Sequence, residues 1–209
     1  MLSVKEIYFT LQGEGFYTGR PSVFLRFSGC NLWSGLEKDR KKAICNWCDT
    51  DFVGNDGLNG GRYSNSQIIN IIKKLWPENE ASIPFIIFTG GEPLLQLNSE
   101  LIELIHSIGF EIGLETNGTI LAPSGINWVC VSPKAYSNFI LKKGNELKVV
   151  FPQKGIEPLD FKDLEFEHFY IQPMDGKDQK NNIKKSKKFI KRNPQWKLIL
   201  QTHKLLGIP

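Results

Sequence analysis

The chain has 209 residues, enough for one domain with a sizeable core, and its 41% hydrophobic and 23% charged content argues against wholesale disorder. A net charge of +4 is spread over 26 basic and 22 acidic residues, so charge alone names no nucleic-acid partner. No apolar run approaches the roughly 20 residues of a membrane span and Met1 to Glu6 lacks a signal-peptide pattern, so a cytoplasmic protein is expected, with its cysteines serving as ligands rather than bridges.

Val23 to Phe27 is the earliest strong strand pattern, and it runs straight into Ser28, Gly29 and Cys30. Asn55 to Gly61, rich in Gly and Asn, reads as a surface loop. Ser66 to Trp76 follows as a helix with Ile68, Ile69, Ile72 and Leu75 on one face. Pro84 to Phe88 reads as a buried strand, Ser99 to Ile108 as a helix closed by Gly109, and Glu111 to Leu114 as the next strand. Trp128 to Val131, Leu147 to Phe151, Phe169 to Ile171 and Lys197 to Leu200 continue the strand series. Between the last two, Asn181 to Arg192 reads as an amphipathic helix whose basic run from Lys184 is a solvated face.

This alternation predicts an α/β fold with a mostly parallel sheet. Polar motifs recur directly after strands: Thr89-Gly-Gly-Glu-Pro93, Glu115-Thr-Asn-Gly118, Ser132-Pro-Lys134, Gln172-Pro-Met-Asp175 and Gln201-Thr-His203. In parallel sheets the active site forms at that end of the strands, so one catalytic rim is expected there.

Cys30 is separated by fourteen residues from Cys45, which opens a Cys-x-x-Cys pair with Cys48. Three thiolates can ligate three irons of a cubane and leave the fourth open to a substrate or cofactor. A structural zinc site would need a fourth Cys or His, and no nearby histidine supplies it. Cys130, inside an apolar strand, reads as core.

Gly29-Cys-Asn-Leu32, the Cys pair and Thr89-Gly-Gly-Glu-Pro93 together resemble the radical S-adenosylmethionine (SAM) superfamily. Its usual first cysteine gap is three residues, so the charged stretch Glu37 to Lys42 is taken as a solvent-facing insertion within about residues 31–44 of a single domain spanning 1–209. With Leu11-Gln-Gly-Glu-Gly15, Cys48-Asp-Thr-Asp51 and Gly144-Asn-Glu-Leu-Lys-Val-Val150, the chain is similar throughout to the 7-carboxy-7-deazaguanine synthases. The resemblance implies a modified partial (β/α) barrel and a ring contraction of 6-carboxy-5,6,7,8-tetrahydropterin with release of ammonia, in 7-deazapurine (queuosine-type) biosynthesis. The implied cofactors are a 4Fe-4S cluster on Cys30, Cys45 and Cys48, SAM, and Mg²⁺ at Thr50.

For the cofactor the resemblance implicates Trp47, Cys48, Asp49, Gly91, Glu92, Glu115, Ser132, Pro133, Lys134, Gln172, Pro173, Met174 and Asp175. Among these, Gly90 and Gly91 suit a backbone that approaches a ligand, Glu92 would accept from the methionine ammonium, and Glu115 would accept from ribose hydroxyls or be a solvated carboxylate. A helix N-cap is the alternative for Thr50. For the substrate, Gln12, Gly13 and Glu14 offer donors and acceptors to pterin nitrogens, and Arg26 would pair with the carboxylate or with a neighbouring acid. Thr89, His203 and Pro209 would complete that pocket. An electron donor such as flavodoxin or ferredoxin and a homodimer are further implications, with no nucleic acid and no membrane. A glycyl-radical-activating enzyme and a zinc-stabilised nucleic-acid-binding module are the competing readings.

Overall fold

The computed structural model describes all 209 residues. Its first strand, β1 (Leu2–Leu11), pairs antiparallel with β2 (Pro21–Phe27) on one side and with β3 (Gly61–Tyr63) on the other. Serine caps the next element: the Ser64 hydroxyl accepts from the Gln67 amide while the Gln67 side chain accepts from the Ser64 amide, closing a capping box at the start of α1 (Asn65–Leu75). Then follow β4 (Phe85–Gly90), α2 (Ser99–Ser107), β5 (Glu111–Thr116), β6 (Trp128–Val131), β7 (Lys143–Phe151) and β8 (Glu165–Pro173). The chain ends through α3 (Gln179–Arg192), β9 (Trp196–Leu198) and α4 (Thr202–Leu206).

All nine strands form one open sheet in the order β3-β1-β2-β4-β5-β6-β7-β8-β9, and every neighbour pair from β2 onward is parallel. The expected α/β class and mostly parallel sheet are therefore present. The expected unbroken alternation with helices is not. Residues 117–127 and 132–142 cross over without an α-helix, and β7 reaches β8 through a single 3₁₀ turn, Pro158–Phe161. Those crossovers carry the Thr-Asn-Gly and Ser-Pro-Lys motifs, whose Gly, Pro and Asn disfavour a helix interior.

One face of the sheet is apolar and covered by helices. Val23, Leu25 and Phe27 of β2, Ile86 and Phe88 of β4, and Ile112 and Leu114 of β5 pack with Ile68, Ile72, Leu101 and Ile105 of α1 and α2. Leu147 and Val149 of β7 and Ile171 of β8 form a second cluster against Phe189 and Ile190 of α3. Side chains alternate across a strand, so the residues between these point to the other face: Arg26, Thr89, Glu115, Ser132, Lys148 and Gln172. The sheet curls until this inner face meets the β1–β2 connection, since Glu14 reaches Lys148 on β7 and Phe16 stacks on His168 of β8 at 4.6 Å between ring centres. Phe16 and Tyr17 also pack on Trp128, at 5.0 and 4.6 Å, and plug one end of the curl.

Asn55 to Gly61 differs from the expected free loop. Asn55 Nδ2 donates to Val4 and Gly61 carbonyls, each at 3.1 Å, and the Gly57 and Leu58 backbones bond to Lys5 and Ile7, so the segment is laced along β1. The β9 strand is shorter than the predicted Lys197 to Leu200, with Leu200 left exposed.

Two outcomes follow from this packing. Phe88 is fully buried between the sheet and its helices, and truncation to alanine should cost about 3–5 kcal/mol in urea denaturation. Glu146, buried on the inner face, accepts from Trp128 Nε1 and from the Phe16 amide, and burial with the nearby Glu115 charge pushes its pKa up to about 7. The folded state thus holds this proton more tightly than the unfolded chain. Its stabilising contribution is complete below the ordinary glutamate range and is lost as pH rises through about 7, by about 1–3 kcal/mol, so the Glu146→Gln variant should show a flatter stability profile between pH 5 and 8.

Candidate active site

At the C-terminal ends of the parallel strands lies a cavity of about 360 Å³. The β1–β2 connection contributes Gln12, Gly13 and Glu14, β2 contributes Arg26, and the β4 end contributes Thr89 and Gly91. Glu115, Ser132, Lys134, Lys148 and Gln172 come from the inner face and the loops above it, and Trp47, Cys48, Asp49 and Thr50 from the cysteine loop. His203 and Pro209 close it from the last segment. Most of the residues that the sequence marks thus share one wall.

The cysteine loop is built by short-range constraints. Cys30 stands just beyond β2, and the Ile44 and Cys45 amides both donate to Leu32 O, which returns the chain after the insertion. The insertion holds an exposed 3₁₀ turn, Glu37–Lys42, as expected. Arg40 departs from that picture: its guanidinium lies 4.0 Å over Trp33 and donates to the carbonyls of Asn46 and Cys48, bracing the Cys pair from outside. Cys45 donates to Cys48, and this bond, the Thr50 amide and the Lys134 charge outweigh burial and lower the Cys48 thiol to about 6. Burial pushes Cys30 upward, against donation from Leu32 N at 3.4 Å. Cys130 is buried on β6, as expected, but it belongs to neither apolar cluster and faces the inner side of the sheet beside Glu115 and Lys148.

The donor set fits a cluster. Three free cysteines lie within electrostatic reach of one another, two of them partly exposed, and one of the three, Cys48, stands on the cavity wall. They do not crowd onto a point fit for a single ion. The cavity also presents an unsatisfied acceptor: Gln172 Oε1 is buried without a partner, while its amide nitrogen faces Glu14 at 3.4 Å. A bound molecule carrying N–H or O–H groups can satisfy it.

Gly90 and Gly91 serve a purpose the sequence reading missed. A Cβ on Gly91 would lie 2.1 Å from Gly29 O and 2.7 Å from Cys30 Cβ, so the motif lets the β4 loop press against the cysteine loop itself. Glu92, read as a partner of the methionine ammonium, lies beneath the cavity and not on its wall. It is fully buried and accepts from Leu94 N, Thr116 Oγ1 and Asn117 N at 2.8–3.0 Å, which ties the β4 and β5 loops together. Burial raises its pKa in spite of these bonds.

The neighbouring-acid reading of Arg26 is realised. Its Nε donates to Glu6 at 2.8 Å and one terminal nitrogen to Tyr8 at 3.3 Å, and the group still faces the cavity. Glu115 is neither solvated nor free: it accepts from Lys148 Nζ at 2.8 Å. Pro133, Pro173, Met174 and Asp175 stand outside the cavity wall. Asp175 instead pairs with Lys204 at 2.6 Å, and Lys204 also holds Asp49 at 2.6 Å. Thr50 stands on the wall between Asp49 and Asp51, and the latter pairs with Lys5 at 2.9 Å. Thr202 donates through its amide and hydroxyl to Gly13 O, and His203 packs so closely on Gly13 that a Cβ there would meet the ring at 2.3 Å.

Lys148, Glu6, Tyr8 and Lys204 are wall residues that the sequence reading did not single out. Lys148 had a readable signal, a lysine within the otherwise apolar run Leu147 to Phe151. A charge on a buried strand requires partners.

Comparison with known proteins agrees with this geometry. Residues 42–151 match the Radical SAM superfamily, a span that takes in Cys45, Cys48 and the Gly-Gly-Glu-Pro loop. The 7-carboxy-7-deazaguanine synthases of Burkholderia multivorans and Bradyrhizobium diazoefficiens are each 52% identical to this chain, covering 99% of it and 99% and 98% of their own lengths. The crystal structure of QueE from Escherichia coli shares the fold, with a TM-score of 0.72 at 24% identity over 96% of this chain and 93% of that one. With its fold, its cavity beside the cysteine loop and its full-length relatives in agreement, the chain belongs to the radical SAM superfamily and, within it, to the 7-carboxy-7-deazaguanine synthase family.

Proposed function

We propose that this protein converts 6-carboxy-5,6,7,8-tetrahydropterin to 7-carboxy-7-deazaguanine and ammonia, acting as a single radical SAM domain over its whole length. Substrate and products balance in atoms, so the net reaction calls for no external oxidant. The observation that carries the reading is that Cys48 of the Cys pair opens onto a cavity holding both a guanidinium, Arg26, and a carboxylate, Glu14. These suit the two ends of a pterin with a carboxylate on one ring and an aminopyrimidine on the other.

Cys30, Cys45 and Cys48 would hold the cluster. When bound, the cluster and SAM supply the hydrogen-abstracting radical. Glu115, Ser132, Lys134 and Gln172 are the wall residues assigned to SAM, with Trp47 and Asp49 beside the cysteines. Lys134 is oriented for this by its own contacts, donating to Ser132 O and Oγ at 2.8 and 2.6 Å. Glu92 holds the loops above β4 and β5 in register, and family resemblance assigns it to the methionine ammonium of SAM. Gln12, Gly13, Glu14, Arg26, Thr89, His203 and Pro209 are assigned to the substrate. Thr50 would offer a hydroxyl to Mg²⁺, an ion that keeps several waters or ligand oxygens. The last segment, fastened at Gly13, Asp49 and Asp175, contributes Gln201, His203, Lys204 and Pro209 to one side of the cavity. An external one-electron donor such as a flavodoxin or ferredoxin, and a homodimer, complete the reading on family resemblance.

Anaerobically reconstituted protein incubated with SAM, dithionite, Mg²⁺ and the carboxypterin should yield a product lighter by one ammonia in mass analysis. Cleavage of SAM with the pterin left intact would refute the substrate while keeping the superfamily chemistry. The Gly91→Ala variant, forced against Gly29 O, should be destabilised by about 1–3 kcal/mol and reconstitute with clearly less iron than the wild type, as read by metal analysis and the brown absorbance.

A further inference from the structure

Lys148 is the most buried cation of the cavity wall, with its side chain 9% exposed. Its ammonium donates to Glu14 at 2.6 Å and to Glu115 at 2.8 Å. These carboxylates arrive from distant parts of the chain, Glu14 from the β1–β2 connection and Glu115 from the end of β5, and both line the cavity. The reading above gives Glu14 to the substrate and Glu115 to SAM, so one nitrogen joins the two ligand subsites.

We propose that Lys148 is a positioning residue shared by both subsites, fixing Glu14 toward the aminopyrimidine edge of the substrate and Glu115 toward the ribose of the cofactor. The inference rests on the functional reading and deepens it. Two carboxylates sharing a buried site without a cation cannot both stay ionised, and one takes up a proton. Burial pushes Glu14 upward, yet the charge and hydrogen bond of Lys148, helped by Gln201 and His203, bring it below the ordinary range. Cys130 of β6, Glu146 of β7 and His203 of α4 also face this ammonium and belong to the same electrostatic group.

The roles separate in reconstituted holoenzyme titrated anaerobically with SAM and, separately, with the carboxypterin. In Lys148→Met both dissociation constants at pH 8 should rise on the order of tenfold or more. Both should weaken further as pH falls toward 6, a dependence that Glu146→Gln in the same background leaves in place. Adding Glu115→Gln to Lys148→Met removes one of the repelling charges and should bring pterin affinity back toward that of the wild type while SAM affinity stays low. That selective recovery distinguishes positioning from general support of the fold. Wild-type affinities in Lys148→Met, or equal losses for both ligands in the double variant, would overturn the proposal. If Lys148→Met fails to load its cluster, the double variant alone decides. Turnover of the carboxypterin by the wild type, run alongside, tests the functional reading separately; were it absent, failure of SAM affinity to fall in the variants would still overturn the role of Lys148.

Discussion

Side chains alternate across a strand, and in this sheet the alternation sorts chemistry from packing. Leu147 and Val149 of β7 go to the helices, while Glu146, Lys148 and Val150 go to the inner face. The same division holds on β2, where Val23, Leu25 and Phe27 are core and Arg26 reaches the cavity. A slip of one residue in any strand would exchange these sets. Parallel register then places the polar residues of neighbouring strands side by side, so that Arg26 lies opposite Thr89 and Val150 opposite Gln172.

That placement creates an electrostatic demand. An inner face carrying Glu14, Glu115, Glu146 and Lys148 is stable only because each charge has a partner: the lysine serves two carboxylates, and Glu146 turns to the Trp128 ring nitrogen and the Phe16 amide. Around the rim the same principle uses longer reaches, from Lys204 to Asp49 and Asp175 and from Lys5 to Asp51. Segments far apart in sequence are joined through charge where the sheet itself leaves a gap.

Much of this was legible in the residues. Short apolar runs gave β6 to the residue and β2, β4 and β5 with ends off by at most two, because runs this short, rich in β-branched and aromatic residues, suit buried strands better than helices. The motifs after them converge because parallel strands deliver their C-terminal ends to one side. What escaped the sequence was three-dimensional. β1 was not recognised, since Ser3, Lys5, Glu6 and Thr10 interrupt its apolar pattern, and Glu6 and Tyr8 face the cavity instead of the core. The missing crossover helices were masked by an assumed βα rhythm. Glu92 and Arg26 show the other limit: the residue type announces charge, but only the fold decides that one is spent on backbone amides and the other divided between Glu6, Tyr8 and the cavity.

The aromatic stopper made by Phe16 and Tyr17 has a consequence for the cavity it does not touch. None of Phe16, Tyr17, Trp128 and His168 lines that cavity. Instead the rings clamp the β1–β2 connection to β4, β6 and β8, so Gln12, Gly13 and Glu14 hang from an apolar anchor and their posture above the strand ends is inherited from hydrocarbon, not from any ligand.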